Sequence, residues 1–567
     1  MSDADRTPET PAPGPELTER ERVLVAPYFT DVDGQVFALT NLPEVVKGAL
    51  FARYSRSAAP LRRLFVDEFV GELAELDPDV GATGPGEGEG AGEPGADRAE
   101  ALYQKVFDQY GDDSVAQLGG AHVALEHVSN LLTKRIEWGR LAAYLEQSTR
   151  YIAYDDRVRR PDGSVGYRYH RDADVLAGPH ADAYVTTMDA IFDTYASLVP
   201  DVLAWVRDRF PQDDATPAVA WRNATKAKAL DLLRGLLPAA TTSNVGMFAS
   251  GQSYEGLLLR LRASGLAESR AVGDALLREL REVIPAFLTR VDVEDRGVAW
   301  SRYLADTAEA TRAVAVELVG DARAPGREPA PAADLVTLTG VWPADPVEAE
   351  VELATAALYS VTDLPEVELR SRVAAMDAAD RRRVVLTYVG ERRNRRHKPG
   401  RGFERVQYRF DVLGDYGGFR DLQRHRMLTV EWQELTTRHG YETPPELEEA
   451  GVADRWHEAL ARSAELYERL LPDHPEQAQY AVCFAYRVRY VMQLNARAAM
   501  QMLELRSTPQ GHPQYRRVVQ EMHRLIRDEA GHTLVADAMS FVDHGEAELE
   551  RLESEKAIAA RRAAREA

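Results

Sequence analysis

A short run of cationic side chains in the second half of the chain could bind phosphate oxygens. Arg424, His425 and Arg426 place two guanidinium groups around an imidazole. Guanidinium groups offer forked N–H donors that match the geometry of a phosphate. For such a triplet alone, a solvated basic patch is the commoner explanation. The triplet therefore needs support from elsewhere in the chain before it indicates a site.

The first half carries a second polar string, from Glu146 to Tyr151. Glu146, Ser148 and Arg150 occupy alternate positions, so their side chains share one side of an extended or turning backbone. Ser148 and Arg150 could then bind an anionic group while Glu146 accepts hydrogen bonds. A polar surface edge would explain the same pattern about equally well.

Two further features bear on the class of reaction. Cys483 is the only cysteine and sits in an apolar run, which is typical of a core residue and not of a reactive thiolate. Glu529 and His532 form a Glu-x-x-His step, which on a helix presents two metal ligands on one face. A di-iron bundle needs two such steps and two more carboxylates, and we find no convincing second step. We therefore interpret the pair as a solvated helix face.

The elements that must position these residues are mainly helical. Apolar residues recur at helical spacing in residues 230–237 and 492–503, whereas Val406, Tyr408 and Phe410 alternate as in a half-buried strand. These patterns predict a mainly helical α+β fold.

The length of the chain predicts more than one domain. A chain of 567 residues exceeds the size at which a single core stops growing, and Pro-rich or Gly-rich stretches mark its breaks. The expected organisation is a disordered tail at 1–15, a first domain at 16–322 with a disordered Gly/Glu-rich insert at 79–97, a linker at 323–333, a second domain at 334–545 and a charged C-terminal helix at 546–567.

Composition limits the kinds of partner. The formal net charge of −22 disfavours nonspecific binding to nucleic acid, which needs a basic footprint. No run of about 18 apolar residues could cross a membrane, and the polar N-terminus lacks the apolar stretch of a secretory signal. We expect a cytoplasmic protein without nucleic-acid or membrane partners. Small anionic ligands stay compatible, because local arginine clusters matter more than the total charge.

Taken together, the two polar strings resemble the motif of the flavin-dependent thymidylate synthases. That motif has Arg-His-Arg, seven residues and a Ser, with a Glu two residues before the Ser and Arg-Tyr soon after it. The second half keeps residues 424–426 but has Trp432 and Glu434 in place of the Glu and Ser. The first half has Trp138 where the motif should begin but keeps residues 146–151 in register. The chain thus resembles a tandem duplication in which each copy keeps part of the motif.

The resemblance extends to positions further along each copy. In the first copy, Arg234 matches the family's Arg that reaches deoxyuridylate from a neighbouring subunit, and Arg262 matches the uracil-facing Arg. Gly251 and Ser253 stand where the flavin-binding Asn and Arg are expected.

The second copy shows the complementary pattern. Glu404, Asn495 and Arg497 match flavin-contacting residues, and Arg506 matches the uracil-facing Arg. Gln479 replaces the counterpart of Arg234.

These matches imply a division of labour between the copies. The implied contacts to dUMP are Glu146, Ser148, Arg150, Arg234 and Arg262. The implied contacts to FAD are Glu404, Arg424, His425, Arg426, Asn495 and Arg497. Arg262 and Arg506 are the implied catalytic residues, one of which stabilises the deprotonated uracil.

The resemblance also implies an activity and an assembly. It implies two tandem thymidylate synthase-like domains that form a pseudo-dimer, and a homodimer that forms a pseudo-tetramer. The implied reaction is the FAD-dependent reductive methylation of dUMP to dTMP with methylenetetrahydrofolate and NADPH. Because each copy has lost part of the motif, two alternatives stay open: a related flavoenzyme that acts on another pyrimidine nucleotide, and a non-catalytic protein that binds a nucleotide or flavin.

Overall fold

The computed structural model describes residues 17–54, 57, 59–68, 117–160, 163–324, 326–328, 334–546, 548–549 and 551–566. The tail predicted at 1–15 and the insert predicted at 79–97 lie outside these residues. Most of the described chain is helical and the rest includes small sheets, which confirms the predicted α+β class. No helix in the described ranges combines the length and the apolar character that a membrane crossing requires.

The chain packs into two compact units. The described residues of the first unit fall within Met1–Ala124, Leu141–Leu145 and Gly246–Val314, and those of the second fall within Leu125–Arg140, Glu146–Val245 and Ala315–Ala567. Of the linker predicted at 323–333, residues 323–324 and 326–328 fall inside the second unit, and the others lie outside the described residues. Packing units and sequence repeats are therefore different divisions of this chain, and the predicted domain boundaries stay a prediction.

In the first unit, the first three described helices pack around an aromatic core. Its first helix starts with a capping box, in which the Thr18 hydroxyl accepts from the Glu21 amide and the Glu21 carboxylate accepts from the Thr18 amide. Phe29, Leu50 and Phe65 are buried together beneath it. The helices are Glu19–Val25, Glu44–Tyr54, Leu61–Glu68, Gly251–Arg262, Ala267–Arg281 and the 3-10 turn Pro285–Leu288, followed by the π-turn Glu294–Val298 and the helix Ala299–Leu318, which begins in this unit.

The second unit holds most of the helices. In the longest, Ala181–Arg209, the residues Tyr184, Met188 and Tyr195 are fully buried at the spacing that one helix face requires. The others are Asn130–Ile136, Ala173–Leu176, Ala218–Leu233, Pro346–Tyr359, Glu366–Ala374, Ala378–Val389, Tyr416–Leu422, Pro445–Glu449, Ala453–Leu470, Ala496–Arg506, Pro513–Asp528, Thr533–Ala538 and Leu552–Glu566, with 3-10 turns at Arg234–Leu236, Arg401–Arg405 and Gln477–Ala481.

Nine strands form the sheets of the described chain. In a four-stranded antiparallel sheet the order is Val336–Trp342, Gln407–Asp415, Arg487–Asn495 and Thr429–Trp432. In a three-stranded sheet the order is Gly120–Ser129, Thr242–Ser250 and Ala142–Glu146, and Val158–Arg159 pairs with Val165–Gly166. The strand predicted around Tyr408 is confirmed for Tyr408 and Phe410, which are fully buried, whereas Val406 lies just before the strand. The helical spacing predicted for 492–503 is wrong for Met492, which lies in the strand Arg487–Asn495, and holds from Ala496 onward.

Within the second unit, corresponding backbone segments of the two copies pair with each other. The Ala239 amide donates to the Val482 carbonyl at 2.8 Å, and the Phe484 amide donates to the Leu237 carbonyl at 2.9 Å. Ala239 and Phe484 are equivalent donors, and Leu237 and Val482 are equivalent acceptors, because the residue numbers differ by 245 in both cases (484 minus 239, 482 minus 237). The two hydrogen bonds are therefore the same bond made once in each direction between the copies. A reciprocal exchange of this kind is what a two-fold axis produces, so the two copies are related locally as a pseudo-dimer.

Candidate functional site

Two short helices position the motif residues, one in each copy. The helix Asn130–Ile136 follows the strand that ends at Ser129, and the helix Tyr416–Leu422 follows the strand that ends at Asp415. In both cases the last strand residue caps the helix by accepting a hydrogen bond from a first-turn amide. The local sequence therefore makes the same strand-cap-helix unit twice.

These units set the correspondence between the motif positions. Counting from the caps, equivalent residues differ by 286 (415 minus 129). Trp138 therefore corresponds to Arg424, and Trp432 corresponds to Glu146. The pair Arg424 and Glu146 and the pair Trp138 and Trp432 therefore occupy equivalent places, and each pair takes one residue from each copy.

Glu146 is buried among cations from both copies. Its carboxylate accepts from Lys134 at 3.1 Å and from Arg420 at 2.8 Å, and it lies 3.8 Å from Arg424. Burial alone would raise the pKa of Glu146, but the positive charges of Arg420, Lys134 and Arg424 lower it well below its usual range. Glu146 is therefore a permanent anion that joins the two copies.

Arg150 is held by a buried carboxylate of its own copy. Its Nε donates to Asp231 at 2.6 Å, its Nη2 pairs with the same carboxylate, and its Nη1 donates to the Tyr515 hydroxyl at 3.3 Å. Burial opposes the charge, yet Asp231 raises the pKa of Arg150 above its usual range. Ser148 supports this arrangement, since its hydroxyl accepts from the Arg150 amide at 3.2 Å.

Asp421 gathers arginines that sequence reasoning had assigned to different ligands. Arg424 donates to it at 2.6 Å, Arg506 at 3.4 Å, and Arg234 of the first copy lies 3.7 Å away. Although burial would raise the pKa of Asp421, these arginines lower it well below its usual value. We call Glu146, Arg234, Asp421, Arg424 and Arg506 the Asp421 cluster.

His425 lies beside this cluster as a neutral base. Arg506 Nε donates to His425 Nε2 at 3.0 Å, so that nitrogen must carry a lone pair. Burial first, and then the charges of Arg506 and Arg424, lower the pKa of His425 to about 3. Arg426 is exposed.

The flavin-type residues of the second copy form a neighbouring group. Arg497 donates to the Pro399 carbonyl at 3.0 Å and lies 3.8 Å from Glu404, which also pairs with Arg401. Asn495 has a structural task, because its side-chain oxygen caps the helix Ala496–Arg506 by accepting from the third amide at 2.8 Å.

The cap at Asn495 corrects the sequence alignment of this element. In the first copy the equivalent cap is Ser250, which accepts from the Ser253 amide at 3.4 Å. The counterparts of Asn495 and Arg497 are therefore Ser250 and Gln252, not Gly251 and Ser253. The sequence could not show this, because the helix Gly251–Arg262 is one residue longer than its counterpart.

Arg262 and Arg506 are consequently not equivalent by position. Counted from the caps, Arg262 is the twelfth helical residue and Arg506 is the eleventh, which turns the side chains about 100° apart. Arg262 belongs to the first unit, where it pairs with Asp274 at 3.0 Å and donates to the Val291 carbonyl at 3.3 Å. Its catalytic role stays a prediction.

The place equivalent to the Arg424–Glu146 pair contains two tryptophans. Trp138 and Trp432 meet edge to face with 5.7 Å between ring centroids. The Trp138 indole N–H donates to the Val430 carbonyl at 3.2 Å, and Phe419 packs on Trp432 at 5.4 Å. An aromatic contact thus replaces the ion pair.

Sequence reasoning missed several members of the buried network. Lys134 and Arg420 are equivalent positions, each four residues before the motif start, and both bond to Glu146. The signal that could have found them is a cation at the same distance before the motif start in both copies. Asp421 and Asp231 carried no signal beyond their polarity.

Two other expectations concern Cys483 and His532. Cys483 is fully buried, and burial raises the pKa of its thiol to about 12. The interpretation of a solvated Glu529–His532 face is wrong for His532, which is buried and shares a hydrogen bond of 2.9 Å with the Tyr408 hydroxyl. The helix Pro513–Asp528 ends before Glu529, so the two residues do not share a helical face.

A cavity of about 550 Å³ borders the network in the second unit. Asp231, His512, Lys228, Arg516 and Arg517 are among the residues that line it. A volume of this size falls within the range of small-molecule sites.

Comparison with known proteins identifies related chains. The family model described as thymidylate synthase complementing protein matches residues 80–286 and 345–530. A UPF0159 protein of Chlamydia pneumoniae is 37% identical over 95% of this chain and 98% of its own. UPF0159 proteins of Chlamydia muridarum and Thermoplasma acidophilum are 35% and 30% identical, over 95% and 90% of this chain and 98% and 97% of their own.

One solved structure is also similar in part. The UMP/dUMP methylase PolB from Streptomyces cacaoi, bound with 5-Br dUMP, is 19% identical and covers 36% of this chain and 94% of its own, with a TM-score of 0.27. That score is too low to establish a shared fold. The family match is independent of it and falls on two consecutive stretches, as a tandem duplication requires. The chain therefore belongs to the thymidylate synthase complementing protein family, as two tandem copies.

Proposed function

We propose that this protein is an FAD-dependent thymidylate synthase, which methylates dUMP to dTMP with methylenetetrahydrofolate as carbon donor and NADPH as reductant. Family membership supports a thymidylate synthase-like function. The observation that carries the proposal is the approach of Arg424 to Glu146, 3.8 Å apart and contributed by different copies. The first copy keeps the Glu of the motif but not its first Arg, and the second copy keeps that Arg but not the Glu.

The Asp421 cluster has the properties of a site for anionic ligands. Nη2 of Arg234, Nε of Arg424 and Nε of the adjoining Arg420 are buried without a hydrogen-bond partner. Leaving a buried donor unsatisfied costs about 1–3 kcal/mol, and more for a charged group. A phosphate or carbonyl oxygen of a bound ligand would recover that free energy.

In this proposal the second copy holds FAD. The residues that would hold it are Glu404, Arg424, His425, Arg426, Asn495 and Arg497. When bound, reduced FAD supplies the reducing equivalents. The chain's own contribution is to hold His425 neutral, as an acceptor for Arg506, and to keep the guanidinium groups charged around Asp421. Asn495 keeps its two amide N–H groups for a ligand, because the cap uses only its oxygen.

The first copy would hold dUMP through Glu146, Ser148, Arg150, Arg234 and Arg262. Asp231 fixes the fork of Arg150 through Nε and Nη2, and Nη2 also donates to the Gln510 carbonyl. Nη1 donates to the Tyr515 hydroxyl and keeps its second N–H for a ligand. Arg506 or Arg262 would stabilise the negative charge of the N3-deprotonated uracil, since fixed positive charge lowers the free energy of a developing anion.

No cysteine nucleophile takes part in this proposal. Cys483 is the only cysteine, and a reactive thiol must be partly exposed and easily ionised. Cys483 is neither, because its side chain is buried and its Sγ lies 3.1 Å from the Leu236 carbonyl. Chemistry at the uracil ring must therefore rest on positioning and fixed charge.

The proposed assembly is a homodimer that forms a pseudo-tetramer. The reciprocal bonds at Ala239 and Phe484 already supply one two-fold relation within the chain. A second two-fold axis between chains would complete a tetramer of copies. Light scattering after gel filtration should give twice the 63.0 kDa chain mass, and a monomeric mass would contradict the assembly.

The test of the function is direct. Purified protein should show the visible absorbance of bound flavin and should convert dUMP to dTMP with methylenetetrahydrofolate and NADPH. Arg424→Ala should lose both, whereas Arg524→Ala, which changes an exposed arginine paired with Glu521, should keep both. Bound flavin without dTMP formation would point to another pyrimidine substrate, and absence of flavin would overturn the proposal.

A further inference from the structure

A second basic pocket lies in the second unit, and none of its residues belongs to the Asp421 cluster. It is formed by the hairpin Val158–Arg159 and Val165–Gly166 together with the segment that follows. Its volume is about 180 Å³. We call it the hairpin pocket, and its polar lining includes Arg159, Arg160, Tyr167, Arg168, Tyr169 and Arg171.

Arg160 and Arg171 of the hairpin pocket are held in place by contacts that do not cancel their charge. Arg160 donates twice to the Tyr167 carbonyl, at 3.0 and 2.9 Å. Its guanidinium also lies 5.0 Å from the centre of the Tyr169 ring, and that of Arg171 lies 5.6 Å from the same ring. Cation–π contacts let two like charges share one aromatic side chain.

Carboxylates near the hairpin pocket are already engaged. Asp156 pairs with Arg168, Asp193 accepts from the Tyr167 hydroxyl, and Asp189 accepts from the Tyr169 hydroxyl at 3.0 Å. Within the part of the chain that the structure describes, no carboxylate forms an ion pair with Arg159, Arg160 or Arg171. Among the described residues of the pocket, Arg159, Arg160 and Arg171 therefore have no carboxylate that pairs with them.

Three guanidinium nitrogens in this lining are buried without a hydrogen-bond partner: Nη1 of Arg160, Nε of Arg168 and Nε of Arg171. Donors of charged groups are costly to leave unsatisfied. Three such donors around one cavity match the acceptor-rich surface of a phosphate group.

The size of the cavity limits what can enter. The cavity measures about 180 Å³, below the roughly 300–1,000 Å³ of sites that enclose a whole drug-sized ligand. It therefore suits one phosphorylated end of a ligand.

We propose that the hairpin pocket binds a phosphomonoester group of a small ligand, at a site separate from the residues assigned to dUMP and FAD. The group could come from inorganic phosphate or from the 2′-phosphate that distinguishes NADP⁺ from NAD⁺. The inference rests on the pocket alone and holds whether or not the proposed methylation is correct.

The test compares phosphate binding by the full chain and its variants. Calorimetric titration of wild-type protein with inorganic phosphate should include a site that R160Q/R171Q lacks, seen as a stoichiometry lower by one. Glutamine keeps donors for the Tyr167 carbonyl but removes the charge, and R171Q alone serves as a milder variant if the double variant is unstable. R524Q is the matched control and should bind as wild type does.

Titration with NADP⁺ and NAD⁺ identifies the source of the group. If the dinucleotide supplies it, NADP⁺ should bind at least tenfold more tightly than NAD⁺, and R160Q/R171Q should abolish that difference. Equal binding of the two dinucleotides, with a phosphate site still lost in the variant, assigns the pocket to free phosphate or another phosphomonoester. A phosphate stoichiometry unchanged by R160Q/R171Q would overturn the proposal. Formation of dTMP by wild-type protein is measured separately. It tests the proposed methylation, and its outcome does not affect the test of the hairpin pocket.

Discussion

Arg506 Nε donates a hydrogen bond to His425 Nε2 at 3.0 Å. The two residues are 81 positions apart in the second copy, and the resemblance assigned one to uracil and the other to flavin. Through this contact the residue assigned to uracil and the residue assigned to flavin interact directly, and both lie beside Asp421. A charge that develops on either ligand would change the electrostatic potential at the residue assigned to the other.

This contact predicts how stability depends on pH. The pKa of His425 is lowered from 6.5 to about 3 in the folded chain, so between these values the unfolded chain binds a proton that the folded chain does not. Stability from this group is fully present above about pH 6.5 and is lost as the pH falls toward 3. Thermal melting of wild type and His425→Asn over this range should show a shallower loss in the variant. Parallel curves would contradict the assignment.

Removal of the charge on Glu146 should destabilise the second unit. Lys134 keeps its buried partner Glu137 in Glu146→Gln, but Arg420 is left buried with a weaker partner, and breaking a buried ion pair costs about 3–5 kcal/mol. Denaturant unfolding measures the difference. Glu521→Gln, at an exposed pair with Arg524, is the control and should change stability by about 1 kcal/mol or less.

Arg506 and Arg262 should separate in an activity assay. Arg506 lies in the Asp421 cluster, so Arg506→Ala should slow nucleotide-dependent flavin oxidation by about 100-fold or more, the effect of removing one donor to a developing anion. Stopped-flow absorbance measures this rate, and the spectrum before mixing reports retained FAD. The same defect in Arg262→Ala alone would move the uracil-facing role to Arg262. Release of FAD from Arg506→Ala would refute the division between the copies.

The Trp138–Trp432 contact predicts the number of nucleotide sites. Trp138 stands where the second copy has Arg424, and Trp432 stands where the first copy has Glu146. The equivalent place therefore lacks the Arg–Glu pair on which the proposed nucleotide site depends. Equilibrium dialysis should find one dUMP per chain, and Trp138→Phe should leave that number unchanged. Two dUMP molecules per chain would show that the tryptophans do not close the second place.

Cys483 should be dispensable for catalysis. Cys483→Ala removes a buried thiol that contacts the Leu236 carbonyl, so dTMP formation should persist at the wild-type rate, with a modest loss of thermal stability from the smaller side chain. Iodoacetamide should leave the wild-type enzyme active, since the thiol is buried. Inactivation that Cys483→Ala prevents would reopen a thiol mechanism.

The amino-acid sequence by itself determined the features that depend on short stretches of chain. The alternation around Tyr408 indicates a strand, and the fold class follows from helical periodicity elsewhere. The motif strings around Arg424 and Glu146 indicate the family and the duplication, because side-chain type and spacing along one segment are readable without the fold.

Only the tertiary structure decided which partners these residues have. Asp421 meets Arg234 of the other copy, Asp231 engages Arg150, and Asn495 uses its oxygen for a helix cap. These contacts join residues far apart in the chain, or depend on where a helix begins to within one residue. The low pKa of His425 likewise depends on burial and on Arg506, and neither can be read from the local sequence, because both arise when distant segments pack together.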